Sequence, residues 1–302
     1  MASGIGSIIE AVDYNSIRSK IINVMGAGSG QTGYGQTTLS TTVATGNIVT
    51  KEQWDALRYD LLNARIHQDG LVPLIVTPET GQPIRFGSGY PNSQYNAQAE
   101  LSITNKWNLG SGQFVIDAGT TTVRSTSWIS EVTTTCTVTF NTVDQARWFF
   151  NSGGKIRVTS SRTGGTGSPQ NSAWSSLLAT AGTQALGGNN AGVNFYNLTN
   201  SYQLFFQTSA SSPYSGNQYR IDVLSNVADN SIGGATILTF RIRFTDSYTY
   251  GGTGGTSFPD TVDGTLSVII DEIRASGSLQ PLGTGPFVLT RPVYSITSLS
   301  GS

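Results

Sequence analysis

Residues Ser125 to Asn141, STSWISEVTTTCTVTFN, alternate between apolar and polar side chains and restrict the fold more than any other stretch. The apolar set lies at even positions and comprises Trp128, Val132, Cys136, Val138 and Phe140. The polar set lies at odd positions and comprises Glu131, Thr133, Thr135, Thr137 and Thr139, with Ile129 as the one exception. A period of two is typical of a β-strand with one buried face. Because such a strand is not stable alone, we expect a sheet and a second layer over its apolar face.

The composition indicates a folded chain with a nearly neutral surface. Charged residues make up 12% of 302, about half of the usual share of roughly 25%, and the net charge is −1. Aromatic residues make up 10%, which argues against disorder. A surface of hydroxyls and amides has little long-range field, so we expect no binding of nucleic acid and no insertion into a membrane. Weak repulsion between copies suits a subunit that associates with itself.

Residues 1–70 predict a small helical attachment module. One helix should cover Tyr14 to Met25, and Thr50 with Gln53 forms a capping box at the start of a second helix. A polar loop should connect the two. Because two helices bury little surface, we expect the module to dock on the β domain or on another subunit. The residues predicted to anchor it are Ile17, Ile21, Trp54, Leu57 and Leu61.

The rest of the chain predicts a mainly β fold. Residues 71–98 are rich in Pro and Gly and indicate an extended connector. Residues 99–276 predict an antiparallel β-sandwich, jelly-roll-like or immunoglobulin-like, with two short inserted helices that follow Thr142 and Ser168. The last strand of this domain, residues 262–273, should pair with the strand that ends at Asp246.

Residues 277–302 predict an extended C-terminal arm. Three prolines argue against a complete sheet within this segment, so we expect it to lie along a neighbouring subunit. The residues predicted to make that exchange are Phe287, Val288 and Leu289.

No pattern in the sequence predicts a catalytic residue, a cofactor site or a metal site. His67 is the single histidine and Cys136 the single cysteine, and they lie far apart in sequence, which argues against a nucleophilic triad. Two carboxylates could form a glycosidase pair, but sequence spacing does not give their separation in space. The candidates are Glu100, Asp117, Glu131, Asp246, Asp260, Asp263, Asp271 and Glu272. Asp246, Asp260 and Asp263 flank one Gly-rich excursion and could offer oxygen ligands to a hard cation such as calcium, but they lack the spacing of a calcium loop. The Asp263-Gly264 pair is better explained by turn chemistry.

Several tyrosines fall in polar loops and are candidates for surface recognition. Tyrosine in Gly/Ser loops makes good contact area for sugars or proteins. The loop tyrosines are Tyr34, Tyr90, Tyr95, Tyr214, Tyr248 and Tyr250, and we single out Tyr214, Tyr248 and Tyr250.

Several runs of the chain resemble structural proteins from the virions of tailed bacteriophages that infect cyanobacteria and other aquatic bacteria. NSIRSKIINVMGAGSGQTGYGQ and TGNIVTKEQWDALRYDLLNARIHQDG resemble the N-terminal module of those proteins. TFNTVDQARWFFNSGGKIRVTSSRTGGTGSPQNSAW, SSPYSGNQYRIDVLSNVADNSIGGATILTF and FPDTVDGTLSVII are similar to their β domain. Together these runs cover most of residues 15–270. The resemblance implies a virion component, commonly of a tail appendage, and no catalytic residues come with it.

We therefore expect a non-enzymatic tail or neck subunit that is made in the bacterial cytoplasm, joins the virion and contacts other virion proteins. Low charge and the C-terminal arm favour a homo-oligomer, a trimer or a ring. Two alternatives stay open: a capsid decoration protein, and a carbohydrate-binding module for a host surface glycan or, further from the pattern, a depolymerase.

Overall fold

The protein is described by a computed structural model, which covers residues 11–26, 33, 38–69, 75, 77, 91–106, 114–248, 261–275 and 290–301. The described helices are α1 (Ala11–Met25), α2 (Lys51–Asp69), α3 (Pro91–Thr104), α4 (Val143–Asn151) and α5 (Pro169–Ala181). The first strands are β1 (Phe114–Arg124), β2 (Glu131–Thr139), β3 (Lys155–Thr163), β4 (Thr183–Leu186) and β5 (Gln203–Ser209). The remaining strands are β6 (Gln218–Ser225), β7 (Ile237–Thr245), β8 (Thr265–Ala275), β9 (Val293–Ile296) and β10 (Ser300–Gly301).

The chain folds into two compact units. The helical unit comprises Met1–Val115, Asp144–Gly154 and Arg274–Thr290, and the sandwich unit comprises Ile116–Val143, Lys155–Ile273 and Arg291–Ser302.

The helical unit has its own apolar core, which is centred on Trp54. The indole meets the rings of Tyr14 and Tyr95 edge-on, with centroids 5.3 and 5.2 Å apart. The predicted capping box starts α2: the Thr50 amide donates to Gln53 Oε1 over 2.9 Å, and the Gln53 amide donates to Thr50 Oγ1 over 3.4 Å. Reciprocal bonds of this kind satisfy two of the amides that a helix start leaves without intrahelical partners.

The described part of the loop between α1 and α2 is tied to the helices. Asp60 accepts bonds from the amides of Leu39 and Ser40, and the Asn15 side chain bonds both backbone groups of Val43. Ser40 and Val43 are buried, so this part of the predicted polar loop contributes to the core.

Helix α3 contradicts the prediction of an extended connector that is followed by β-structure. It covers the last residues of the predicted connector and the first of the predicted β domain, and it buries Tyr95, Ala99 and Ser102. These three residues lie on one helical face, but two of them are small or polar, so hydrophobic periodicity gave no signal. Pro91 at the first position fits a helix start, because a first-turn amide has no intrahelical partner.

The sandwich unit consists of two antiparallel sheets, which confirms the predicted fold class. The four-stranded sheet has the order β1-β8-β3-β4. The six-stranded sheet has the order β10-β2-β7-β6-β5, and β9 also pairs with β2. A bond of 3.0 Å from Ser160 Oγ on β3 to the Tyr219 hydroxyl on β6 joins the inner faces of the two sheets. This bond satisfies two polar groups that would otherwise be buried without partners.

The stretch from Trp128 to Phe140, which contains β2, has the predicted alternation. The even residues Trp128, Val132, Cys136, Val138 and Phe140 are all buried, and Ile129, the exception in the pattern, is 53% exposed. Both predicted inserted helices are present as α4 and α5. Ser168 caps α5 by accepting from the Asn171 amide, and Gly182 ends it at φ 60°, a conformation that favours glycine.

The predicted pairing of the last long strand is wrong. Strand β8 pairs with β3 in the four-stranded sheet, where Ile270 lies opposite Val158, whereas β7 lies between β2 and β6 in the other sheet. The Gly-rich segment after Asp246 therefore connects two strands of different sheets, and these strands do not form a hairpin.

The C-terminal segment also differs from the prediction. Strands β9 and β10 pair antiparallel with β2 of the same chain, with Tyr294 opposite Val138 and Ser300 opposite Thr133. The described part of the predicted arm therefore completes its own sheet, since the prolines precede the strands instead of interrupting them.

Candidate functional site

The anchor residues predicted in the helical unit are not at its surface. Ile17, Ile21, Trp54, Leu57 and Leu61 are at most 3% exposed and belong to the core of that unit. This corrects the prediction, because side chains that fill one core cannot also bind another subunit. The large apolar side chains that are exposed in the described part of this unit are Val12, Leu39, Ile48, Tyr59, Leu101 and Ile103.

The predicted recognition tyrosines do not form an exposed group. Tyr214 is buried, and its ring lies 4.6 Å from the ring of Tyr248, which is partly exposed. Burial and the neighbouring Tyr248 and Asp246 raise the pKa of Tyr214. Tyr250 lies outside the described residues, as do the predicted exchange residues Phe287, Val288 and Leu289.

Cys136 has the environment of a core residue. It is fully buried on β2, and burial raises the pKa of its thiol to about 12. Because the thiolate is the reactive form, this thiol is poorly suited to nucleophilic attack. His67 lies in the last turn of α2, and its side chain is outside the described part.

Two of the carboxylates that flank the Gly-rich excursion, Asp263 and Asp246, are held by hydrogen-bond donors. Asp263 accepts from the Thr166 amide at 3.1 Å, from Arg162 at 3.3 Å and from the Asn171 side chain. Asp246 accepts from the Gln170 side chain at 2.5 Å. Asp260 lies outside the described residues, and the described part of the chain has no group of three metal-ligating side chains. These bonds fit the interpretation of Asp263 as a turn residue.

Two of the remaining candidate carboxylates, Asp271 and Glu100, take part in ion pairs. Asp271 receives two bonds of 2.6 Å from Arg157, a bidentate pair that links β8 to β3. Glu100 pairs with Lys20.

Two carboxylates of the sandwich unit meet at one arginine. Arg291 lies 3.0 Å from the fully buried Glu272 and 3.7 Å from Asp117. The Tyr294 hydroxyl donates a hydrogen bond to the second oxygen of Glu272. Burial is the largest cause of the raised pKa of Tyr294, and the negative charge of Glu272 raises it further. Since Tyr294 and Glu272 belong to different sheets, the network holds the C-terminal segment in place.

The most unusual polar cluster of the sandwich unit surrounds Asp222, and we call it the arginine cluster. Its members are Arg220 and Asp222 on β6 and Arg241 and Arg243 on β7. Arg220 lies 2.7 Å from Oδ1 of Asp222, while Arg241 and Arg243 lie 3.0 and 2.9 Å from Oδ2. The carboxylate is fully buried, whereas the three arginine side chains stay 24–32% exposed.

The strand register explains why these charges meet. Arg220 lies directly opposite Arg243, and Asp222 lies directly opposite Arg241. Like charges at opposed positions repel, so Asp222 is needed between the guanidiniums. Burial alone would raise the pKa of Asp222, but hydrogen bonds from Arg220, Arg241 and Arg243 outweigh it and leave the pKa below its usual value.

The sequence contained part of this signal. Arg241 and Arg243 alternate with apolar residues on β7, and Arg220 and Asp222 do the same on β6. Alternation placed both pairs on outward faces, but only the register of two strands brings them together.

The described part of the chain has a helical unit and an antiparallel β-sandwich, and the arginine cluster lies on the outer face of the six-stranded sheet. Comparisons with family models, curated proteins and solved structures find no match for this chain. None of the described helices has the length and hydropathy needed to cross a lipid bilayer.

Proposed function

We propose that this protein is a non-catalytic structural subunit of a tailed bacteriophage virion, in a tail or neck appendage, and that it assembles there as a homo-oligomer. Its partners would be other virion proteins. The observation that carries the proposal is the resemblance of five runs within residues 15–270 to such virion proteins. Two of the runs overlap α1 and α2, and the other three lie between the end of β2 and β8. The resemblance therefore extends over both the helical and the β parts of the chain.

The nature of the surface supports an assembly role. The outer face of β2 presents Thr133, Thr135, Thr137 and Thr139, which are partly exposed hydroxyls. The helical unit exposes Ile48 to 88% and Tyr59 to 55%. Contacts through hydroxyls and apolar side chains are less sensitive to salt than ion pairs. This suits a subunit that must stay bound over a range of ionic strengths.

Counting the copies of this protein in purified particles tests the proposal. A few to a few dozen copies per particle, found by quantitative mass spectrometry, would agree with a tail or neck position. Hundreds of copies would favour the alternative of a capsid decoration protein. Absence from purified particles would refute the virion role.

The oligomer has a separate test. Light scattering on the purified protein should give the mass of a trimer or a ring, and a Tyr59→Ser, Ile48→Ser double variant should weaken assembly if the exposed side chains of the helical unit form the contact. A Val293→Ser variant is the control, since Val293 is an apolar residue of the other unit whose exposure, 66%, lies between those of Tyr59 and Ile48. A wild-type monomer in solution that also stays monomeric on the particle would contradict this part.

A second candidate is a module that binds a host surface glycan. The arginine cluster favours it, because exposed guanidiniums beside hydroxyls can bind charged sugars. It is compatible with a place on a virion appendage.

A further inference from the structure

We propose that the arginine cluster, with Tyr202 and the threonines of β2 beside it, is a binding site for an acidic saccharide that presents a carboxylate or a sulfate group. The site rests on the second candidate function, glycan binding, and specifies its ligand class; it is a property of the isolated chain and does not depend on a position in a virion.

The first reason is charge that the protein does not neutralise. Three guanidiniums and one carboxylate leave a net charge of +2 within two adjacent strands. Three of the 17 Lys and Arg residues of the chain gather here, although its overall net charge is −1. The other described acid on this face, Glu131, accepts bonds from Thr133 and Thr245. An incoming anion would relieve the repulsion between Arg220 and Arg243, which lie directly opposite each other.

The second reason is donor capacity. Each guanidinium has five N–H donors, while one carboxylate offers about four acceptor sites, so Asp222 cannot use all the donors. Because the three side chains remain 24–32% exposed, part of this capacity faces solvent. Because Asp222 already holds the three guanidiniums in place, less side-chain entropy is lost when a ligand binds. Arginine suits planar carboxylates and sulfates, because it can donate two parallel hydrogen bonds.

The third reason is the surrounding surface, which fits a sugar ring. The guanidinium carbon of Arg241 lies 4.0 Å from the ring centroid of Tyr202, which is 37% exposed. Leu204, 47% exposed, lies opposite Asp222, and so provides apolar area for the C–H face of a ring. On the other side, Thr133 and Thr135 lie opposite Arg243 and Arg241 and offer hydroxyls to sugar hydroxyls.

Nucleic acid fits the same surface less well. A nucleic acid strand needs several phosphate contacts along its length and aromatic side chains for successive bases. The arginine cluster occupies one compact patch with one stacked aromatic ring, and threonines border it along β2. One anionic group per saccharide unit, surrounded by neutral hydroxyls, matches this pattern.

The test measures binding to four defined polymers in about 0.15 M NaCl, where long-range attraction is screened. Polygalacturonate supplies carboxylates, dextran sulfate supplies sulfates, dextran is the neutral control and polyuridylate is the phosphate control. We expect binding to one or both acidic polysaccharides, with the pair showing which anion is preferred, and no binding to dextran. Equal binding to dextran, binding to neither acidic polymer, or tighter binding to polyuridylate would overturn the proposal.

Variants locate the site. Arg241→Gln with Arg243→Gln should weaken binding by at least about tenfold, because two charged donors are lost. Tyr202→Ala, which leaves every bond to Asp222 in place, should weaken it by about threefold. The control Arg124→Gln with Lys155→Gln removes the same charge from the four-stranded sheet and should leave affinity unchanged. Equal losses in both double variants would mean general electrostatic attraction and would refute a built site.

A spectroscopic measurement keeps the test decisive if the double variant does not fold. The side-chain Nε–H resonances of Arg220, Arg241 and Arg243 in the wild-type protein should shift when short galacturonate oligomers or a sulfated disaccharide are added. Shifts at Arg157 and Arg162 without shifts in the arginine cluster would place binding elsewhere and contradict the assignment.

Discussion

Thr297 and Thr135 lie 162 positions apart and exchange hydrogen bonds at the edge of the six-stranded sheet. The Thr135 amide donates to Thr297 Oγ1 over 2.9 Å, and the Thr297 amide donates to the Thr135 carbonyl over 2.9 Å. Together with β9 and β10, this contact covers one edge of β2, which would otherwise expose unpaired backbone groups. The C-terminal segment therefore stabilises the sandwich unit of its own chain.

Removal of residues 291–302 should destabilise the sandwich unit. The deletion removes Arg291 and Tyr294 from the fully buried Glu272, and removal of one partner from a buried ion pair costs about 3–5 kcal/mol. Urea unfolding followed by circular dichroism should show this loss. The milder Tyr294→Phe removes one donor and should cost about 1–2 kcal/mol. Tyr202→Phe is the control, since that ring is 37% exposed. A deletion that changes oligomeric mass but not stability would instead support arm exchange.

Asp222→Asn should destabilise the sandwich unit at neutral pH. The change removes the single negative charge between three guanidiniums, and hydrogen bonds to charged groups contribute about 1.5–3 kcal/mol each, less where solvent reaches them. We expect a loss of about 2 kcal/mol in the free energy of unfolding. Asp229→Asn, at an exposed turn, should have a smaller effect.

The same pair of proteins should reveal a pH dependence. The folded-state pKa of Asp222 lies below its usual value, so its contribution is fully present above the unfolded pKa of about 3.9 and is lost as pH falls below it. The difference between wild type and Asp222→Asn should therefore be constant from neutral pH to about pH 5 and shrink below about pH 4. A difference that persists unchanged at the lowest pH at which both proteins fold would contradict the ionised, paired state of Asp222.

Trp54→Ala should unfold or strongly destabilise the helical unit. Trp54 is fully buried between Tyr14 and Tyr95, and loss of such a ring costs about 3–5 kcal/mol. Thermal melting followed at the helical band measures the change. Ile48→Ala, at a residue 88% exposed, should change stability by less than about 0.5 kcal/mol. A stable Trp54→Ala protein that only fails to assemble would restore the original prediction of an anchor.

Cys136 should react slowly with a thiol reagent while the protein is folded. Burial raises its pKa to about 12, and only the thiolate attacks. At pH 8 the reaction should be roughly 100-fold or more slower than in urea-unfolded protein, where the pKa is ordinary. Equal rates in folded and unfolded protein would contradict a buried Cys136.

Alternation and capping were sufficient to predict much of the fold. Strand β2 followed from its period of two, and α5 followed from Ser168, Pro169 and Gly182, because these signals are local. Helix α3 was missed because its buried face combines Tyr95 with small or polar residues. Strand β1 was missed because it has no fully buried face and contains Gly119, where a Cβ would overlap the Ile270 carbonyl.

The polar sites depended on register, which the sequence does not specify. Alternation along β6 and β7 is compatible with outward positions for Arg220, Asp222, Arg241 and Arg243, yet their meeting requires β6 beside β7. The anchor prediction failed for a different reason. An apolar stripe such as Ile17, Ile21 and Leu57 looks the same whether it faces its own core or a partner, and the position of α3 could not be foreseen.

Each unit is assembled from three separate stretches of chain, so the backbone passes from one unit to the other five times. No contiguous gene fragment encodes either unit whole, and expression of residues 1–115 or of the β region alone would omit stretches that belong to it. A single proteolytic nick at one crossing would leave four covalent links intact. Because the stretches of the two units alternate along one chain, neither unit can be synthesised without part of the other.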